Sequence, residues 1–177
     1  QSPQVAASAT VAMAGDYILT VTDGNGCVSL ASTTTATINS LPVATSSNDG
    51  PTCIGEVLNL TGGPAGMTTY SWTGPNAFTS SSRNPQVSAS VTLAMDGDYL
   101  LTVTDGNGCV SAASTTTATI NTLPVATTSN DGPVCVGEAL NLTGGPAGMT
   151  TYSWTGPDGY TSSSQSPQVS ASTTAAM

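Results

Sequence analysis

Four cysteines, ten carboxylates and eight aromatic side chains hold nearly all the chemistry this sequence offers. Histidine and lysine are absent, and Arg83 is the single basic residue. No imidazole or amine is therefore present to activate a nucleophile. Cys27, Cys53, Cys109 and Cys135 show neither a C-x2-C pair nor a Cys/His pattern. That argues against zinc and leaves a choice between disulfides and free thiols. An even number of cysteines at fixed positions favours disulfides and an oxidising compartment.

The acids are poorly placed for catalysis. A glycosidase-like mechanism needs two carboxyl groups facing one cleft. Asp49, Asp105, Asp131 and Asp158 instead sit in turn sequences, where short acids bond the local backbone. Glu56 and Glu138 occupy equivalent places in successive repeats. No catalytic residue and no cofactor are assigned, and the chain is read as a non-enzyme. Asp96, Asp98 and Asp105 form a weak candidate calcium group of oxygen ligands. Ala14 stands where the next copy has Asp96, and no acid-rich calcium loop surrounds these positions, so no metal is assigned. Tyr70, Trp72 and Phe78 could form a stacking platform for sugar. Trp72 reads better as core, which leaves Phe78 and Tyr160, in a variable turn, as candidate ligand contacts. Asn59-Leu60-Thr61 and Asn141-Leu142-Thr143 match the N-glycosylation pattern, a short motif of low specificity.

The elements that would position these residues are set by an internal repeat. Cys27/Cys109, Cys53/Cys135, Tyr17/Tyr99 and Trp72/Trp154 recur at one spacing of 82 residues, and residues 1–82 match 83–164 at 66 positions without a gap. Such self-similarity signals an array of structural units. The expected organisation is 1–40 as the C-terminal part of one repeat, 41–122 as a complete repeat, and 123–177 as the N-terminal part of a third. A unit of this size buries little surface, so small secreted domains often add a covalent staple.

Within a repeat the pattern is alternation. Tyr99, Leu101 and Val103 share one face, as do Leu58 with Leu60 and Tyr70 with Trp72. Turn sequences separate these runs, among them Asn48-Asp49-Gly50-Pro51, Gly74-Pro75-Asn76 and Asp105-Gly106-Asn107-Gly108. Strands are expected near 42–47, 56–61, 68–73, 77–81, 86–93, 97–105 and 109–120. The fold class is thus all-β, as tandem immunoglobulin-like antiparallel sandwiches of about 82 residues each. In that layout Trp72 and Trp154 fill the space between sheets. Tyr99 and Tyr17 enter the core with each hydroxyl tied to the preceding corner.

The net charge of −9 leaves no basic patch for nucleic acid or anionic lipid. No apolar run is long enough to span a membrane, and no signal peptide is visible, although the sequence starts inside a repeat. Abundant serine and threonine without lysine suit an extracellular stalk.

The segments TTYSWTGPNAFTS, NPQV and GDYLLTVTDGNGCVS, with the cysteine after GPT, resemble immunoglobulin-like or PKD-like repeats of very large secreted surface proteins of Bacteroidota. The resemblance implies secretion, often by the type IX route, and a role as adhesin, gliding-surface component or fibre. Leu101 stands where antibody domains place a cysteine, so the usual inter-sheet cystine is absent. A bridge between Cys53 and Cys109 is expected instead, closing one end of the sandwich, with Cys27 and Cys135 bonded to cysteines of adjacent copies. The leading functional expectation is a filament or stalk of stacked repeats whose partners are copies of itself. The alternative is an adhesin array that gains avidity from many weak glycan sites. The end segments 1–40 and 123–177 are complementary, and 123–164 of one copy is expected to complete a domain with 1–40 of the next, either by strand exchange between subunits or within one continuous polypeptide, the second favoured because residues 1–13 and 165–177 occupy the same repeat position.

Overall fold

The computed structural model describes residues 8–169. The repeated Pro-Gln-Val segment at Pro3–Val5 lies outside the described residues. The chain is all-β and divides into two compact units, one ending at Thr122 and the other starting at Leu123.

In the first unit, β1 (Gly15–Leu19) and β2 (Ser32–Ala36) form an antiparallel pair with Tyr17 opposite Thr34. Nine strands follow. They are β3 (Thr45–Asn48), β4 (Thr52–Cys53), β5 (Leu58–Gly63), β6 (Thr69–Gly74), β7 (Phe78–Ser80), β8 (Gln86–Ser88), β9 (Gly97–Thr104), β10 (Ser114–Ala118) and β11 (Ile120–Asn121). One sheet runs β3-β5-β8 and the other β10-β9-β6-β7, both antiparallel. β11 pairs with β4 in parallel.

Alternation along β5 and β9 turns Leu58, Leu60, Tyr99, Leu101 and Val103 inward, where they meet Trp72, Val91, Ala118 and Ile120. Full burial of each large apolar side chain stabilises the fold by about 1.5–3 kcal/mol. The Tyr99 ring sets the local spacing. It packs edge-on against Phe78 at 5.5 Å, and a Cβ on Gly74 would collide with it, so only glycine fits there. Its hydroxyl donates to the carbonyl of Met95, 2.8 Å away, at the corner before β9. At the open edge between the sheets, Asn48 Nδ2 donates to Thr116 Oγ1 at 2.7 Å and to the Thr117 carbonyl at 3.0 Å.

Three of the expected strands differ from those observed by more than two residues at an end. The run 109–120 is not one strand. Val110 makes a single bridge to Thr104, and after β10 the chain leaves β9 so that the Thr119 carbonyl can accept from Thr52 N at 3.0 Å. The run 86–93 stops at Ser88, where its hydroxyl accepts from Ser90 N, and Leu93–Met95 forms a single 3-10 turn. The first strand begins at Thr45 rather than 42.

The second unit holds β12 (Thr127–Asn130), β13 (Leu140–Gly145), β14 (Trp154–Thr155), β15 (Thr161–Ser162) and β16 (Gln168–Val169). These pair as β12-β13-β16 and β14-β15. β12, β13, β15 and β16 repeat the placement of β3, β5, β7 and β8 one period earlier. β14 keeps only two residues of its six-residue counterpart β6.

Candidate functional site

Two features distinguish this molecule: where the cysteines stand on a sandwich, and which apolar faces stay uncovered. Each cysteine follows from local turn chemistry. Asp105 Oδ1 accepts from Asn107 N at 2.9 Å and Cys109 N at 2.8 Å, closing the turn after β9. Asp23 does the same for Asn25 and Cys27, both at 2.9 Å. Glu56 Oε2 accepts from Cys53 N at 3.0 Å and from the Thr52 hydroxyl at 2.9 Å, and Glu138 accepts from Cys135 N at 3.1 Å. All four cysteine amides are thus pinned by a carboxylate. The Cys27 amide, then that of Asn25, holds Asp23 below the usual carboxylate range. The Cys53 amide, helped by the Thr52 hydroxyl, does so for Glu56.

All four cysteines are unpaired. The expected Cys53–Cys109 bridge is not available to this fold, because the two residues stand at opposite poles. Cys53 lies opposite Asn121, beyond the Ala118–Gly97 pair at the start of β9. Cys109 follows the turn at the far end of β9, where Asp105 N bonds its carbonyl at 3.0 Å. The seven steps of β9 at about 3.3 Å each separate the poles by roughly 23 Å, whereas a disulfide requires Cα atoms within about 7 Å.

The open faces are the second feature. Tyr99, Leu101 and Val103 are at most 1% exposed, yet their counterparts Tyr17, Leu19 and Val21 are 38, 63 and 58% exposed. The Tyr17 hydroxyl still donates to the Met13 carbonyl at 2.8 Å, so the corner forms without the core. In the second unit a cavity of about 220 Å³ lies between Ala126, Gly144, Met149, Tyr152 and Trp154. The equivalent place in the complete sandwich is filled by β9. There Leu101 sits opposite Trp72, with its methyl group against Gly62.

The remaining candidates are dispersed. Asp105 lies at one pole and Asp96 and Asp98 at the other. Asp96 accepts from Ile120 N at 2.7 Å, and Asp98 from the Thr117 hydroxyl at 2.6 Å. These three carboxylates do not converge, and among the described residues none join a metal-holding group. Phe78 is half-buried against Tyr99, so it belongs to the margin of the core, and Tyr160 is half-buried as well. Asn59 and Asn141 lie in strands. Their side-chain amides donate to Asp49 at 2.8 Å and Asp131 at 2.6 Å, which occupies the glycosylation-pattern nitrogens. The Asn59 amide holds Asp49 below its usual range, and Asn141 does the same for Asp131.

Sequence reasoning missed β4, the parallel partner of β11, because two residues carry no periodic signal. It also missed Arg83, whose Nε donates to the Gly62 carbonyl at 2.8 Å. A comparison of copies could have found that role, since Gln165 donates to Gly144 in the same way at 2.9 Å.

No family model matches the chain, and no curated protein matches it. Several solved structures are similar to it in part. The amphioxus IgVJ-C2 molecule is 17% identical, with a TM-score of 0.38 over 63% of this chain and 63% of that one. The N-terminal four Ig domains of Dscam1 isoform 6.9 are 20% identical, with a TM-score of 0.34 over 64% of this chain and 29% of that one. For Dscam1 isoform 4.4 the identity is 24% and the TM-score 0.32, over 64% and 28%. The chain spans less than two thirds of the length of these structures. They are immunoglobulin-like domains, and this all-β chain is similar to them.

Proposed function

We propose that this chain is a structural segment of an extracellular filament or cell-surface stalk, built from immunoglobulin-like repeats stacked end to end. One observation carries the reading: a single sequence, repeated, is buried in the complete sandwich and exposed where no facing strands cover it. Tyr99, Leu101 and Val103 against Tyr17, Leu19 and Val21 supply that contrast. Apolar faces and strand edges of this kind are normally covered. The β1–β2 pair has the register of β9–β10, with Tyr17 opposite Thr34 as Tyr99 is opposite Thr116. It is therefore shaped to fill the cavity beside Trp154. Residues 8–40 of one copy and 123–169 of another then complete a third sandwich.

The test is self-association of the 177-residue chain. Light scattering and electron microscopy should find beaded polymers that lengthen with concentration. Leu19→Asp should block their growth while leaving the sandwich of 41–122 folded by circular dichroism. A chain that stays monomeric at millimolar concentration would sink the proposal.

A further inference from the structure

The two thiols of a repeat stand at the poles where the chain arrives and leaves. Thr45, the first residue of β3, pairs with Gly63, next to the turn from Pro64 to Met67. That turn meets the end of β9, since Thr68 bonds the carbonyls of Thr104 and Asp105 at 2.8 and 3.0 Å. Cys109 therefore shares the arrival pole. Asn121, the last residue of β11, pairs with Cys53, which therefore shares the departure pole. Asn39 corresponds to Asn121 one period earlier, and only residues 40–44 separate it from Thr45. Six Cα steps reach at most about 20 Å. The departure pole marked by Asn39 is thereby tethered within about 20 Å of the arrival pole marked by Thr45.

Both poles present the thiol in the same way, on a turn whose backbone is locked by a carboxylate bonded to the cysteine's own amide. Cys53 and Cys109 are half-buried, and Cys27 and Cys135 are exposed. None is sealed in the core, and none has a partner within its own sandwich.

We infer that the cysteines staple one repeat to the next: the thiol at a departure pole bonds the thiol at the arrival pole stacked upon it. In an array of this chain, and so resting on the filament reading above, Cys53 of one copy bonds Cys27 of the next copy. Cys135 of the first likewise bonds Cys109 of the next. Each bond forms by exchange with a disulfide oxidant such as oxidised glutathione. One thiolate attacks the oxidant's disulfide and releases one thiol. The second thiolate then displaces the other, so two protons and two electrons leave the cysteines and the oxidant becomes two thiols. The result is a covalent ladder running the length of the array, which an intradomain bridge would not produce.

The experiment mixes ¹⁵N-labelled and unlabelled full-length chains in a glutathione redox buffer, with a parallel sample under reductant. Peptic digestion without reduction and mass spectrometry then map the linked peptides. The expected result is mixed-isotope Cys53–Cys27 and Cys135–Cys109 peptides, and a non-reducing gel ladder that collapses on reduction. The double variant Cys53→Ser/Cys135→Ser should lose the ladder and still polymerise by light scattering. Cys53–Cys109 or Cys27–Cys135 peptides, or polymers with all four thiols free, overturn the staple and leave the filament standing. Chains monomeric both with and without reductant overturn both.

Discussion

Removing one hydroxyl from Tyr99 tests whether burial, rather than sequence, gives the tyrosine corner its strength. Tyr99→Phe deletes the 2.8 Å bond to the Met95 carbonyl beneath a ring that is fully buried. Loss of such a bond, with its acceptor left poorly solvated, costs about 1.5 kcal/mol. For a domain of this size that shifts a urea midpoint by about 1.5 M at an m-value near 1 kcal/mol/M. The melting temperature falls by about 6–12 °C. Tyr17→Phe deletes a bond of the same length in the same local sequence, but Tyr17 is 38% exposed and water can replace the lost donor. Its cost in the isolated chain should stay below about 0.5 kcal/mol. Alkaline titration gives a second readout. Burial, and secondly the charge of Asp96, raise the Tyr99 phenol above its ordinary 10.0. The unfolded chain then ionises before the folded one, so this contribution is complete below pH 10 and is lost as pH rises through the folded value. Tyr99→Phe should remove that part of the alkaline slope. Denaturation under reducing, dilute conditions measures all three quantities, and equal losses for the two variants would refute the reasoning.

Arg83→Gln should change stability by less than about 0.5 kcal/mol in thermal melts, because Gln165 already makes the equivalent bond in the next repeat. Ala77 adopts a left-handed backbone, φ +56°, where the next copy has Gly159, so Ala77→Gly should stabilise 41–122 by up to about 1 kcal/mol in urea titrations. Asp49 and Glu56 lie below their ordinary values of 3.8 and 4.5, which places their contribution above those pH values and removes it as pH falls through the lower folded ones. Acid unfolding followed by tryptophan fluorescence should therefore become shallower in Asp49→Asn.

The period, the inward faces and the turns are legible in the chain alone, because each is a local statement about alternation or backbone freedom. Leu58, Leu60, Tyr99, Leu101 and Val103 could be assigned to one interior from their spacing alone. Features that depend on two distant segments meeting emerge only when the sheets pack. Both β4, which exists because Thr119 turns its carbonyl toward Thr52, and the Asn48 bonds to β10 arise only when the sheets close. The cysteines show the difference most plainly. Spacing along the chain put Cys53 and Cys109 in one domain, but β9 is an extended rod of eight residues with one cysteine near each end. Nor could local sequence distinguish Tyr17 from Tyr99. Both sit in Gly-Asp-Tyr segments with their hydroxyls bonded four residues back, and only the presence of facing strands buries one and leaves the other in water.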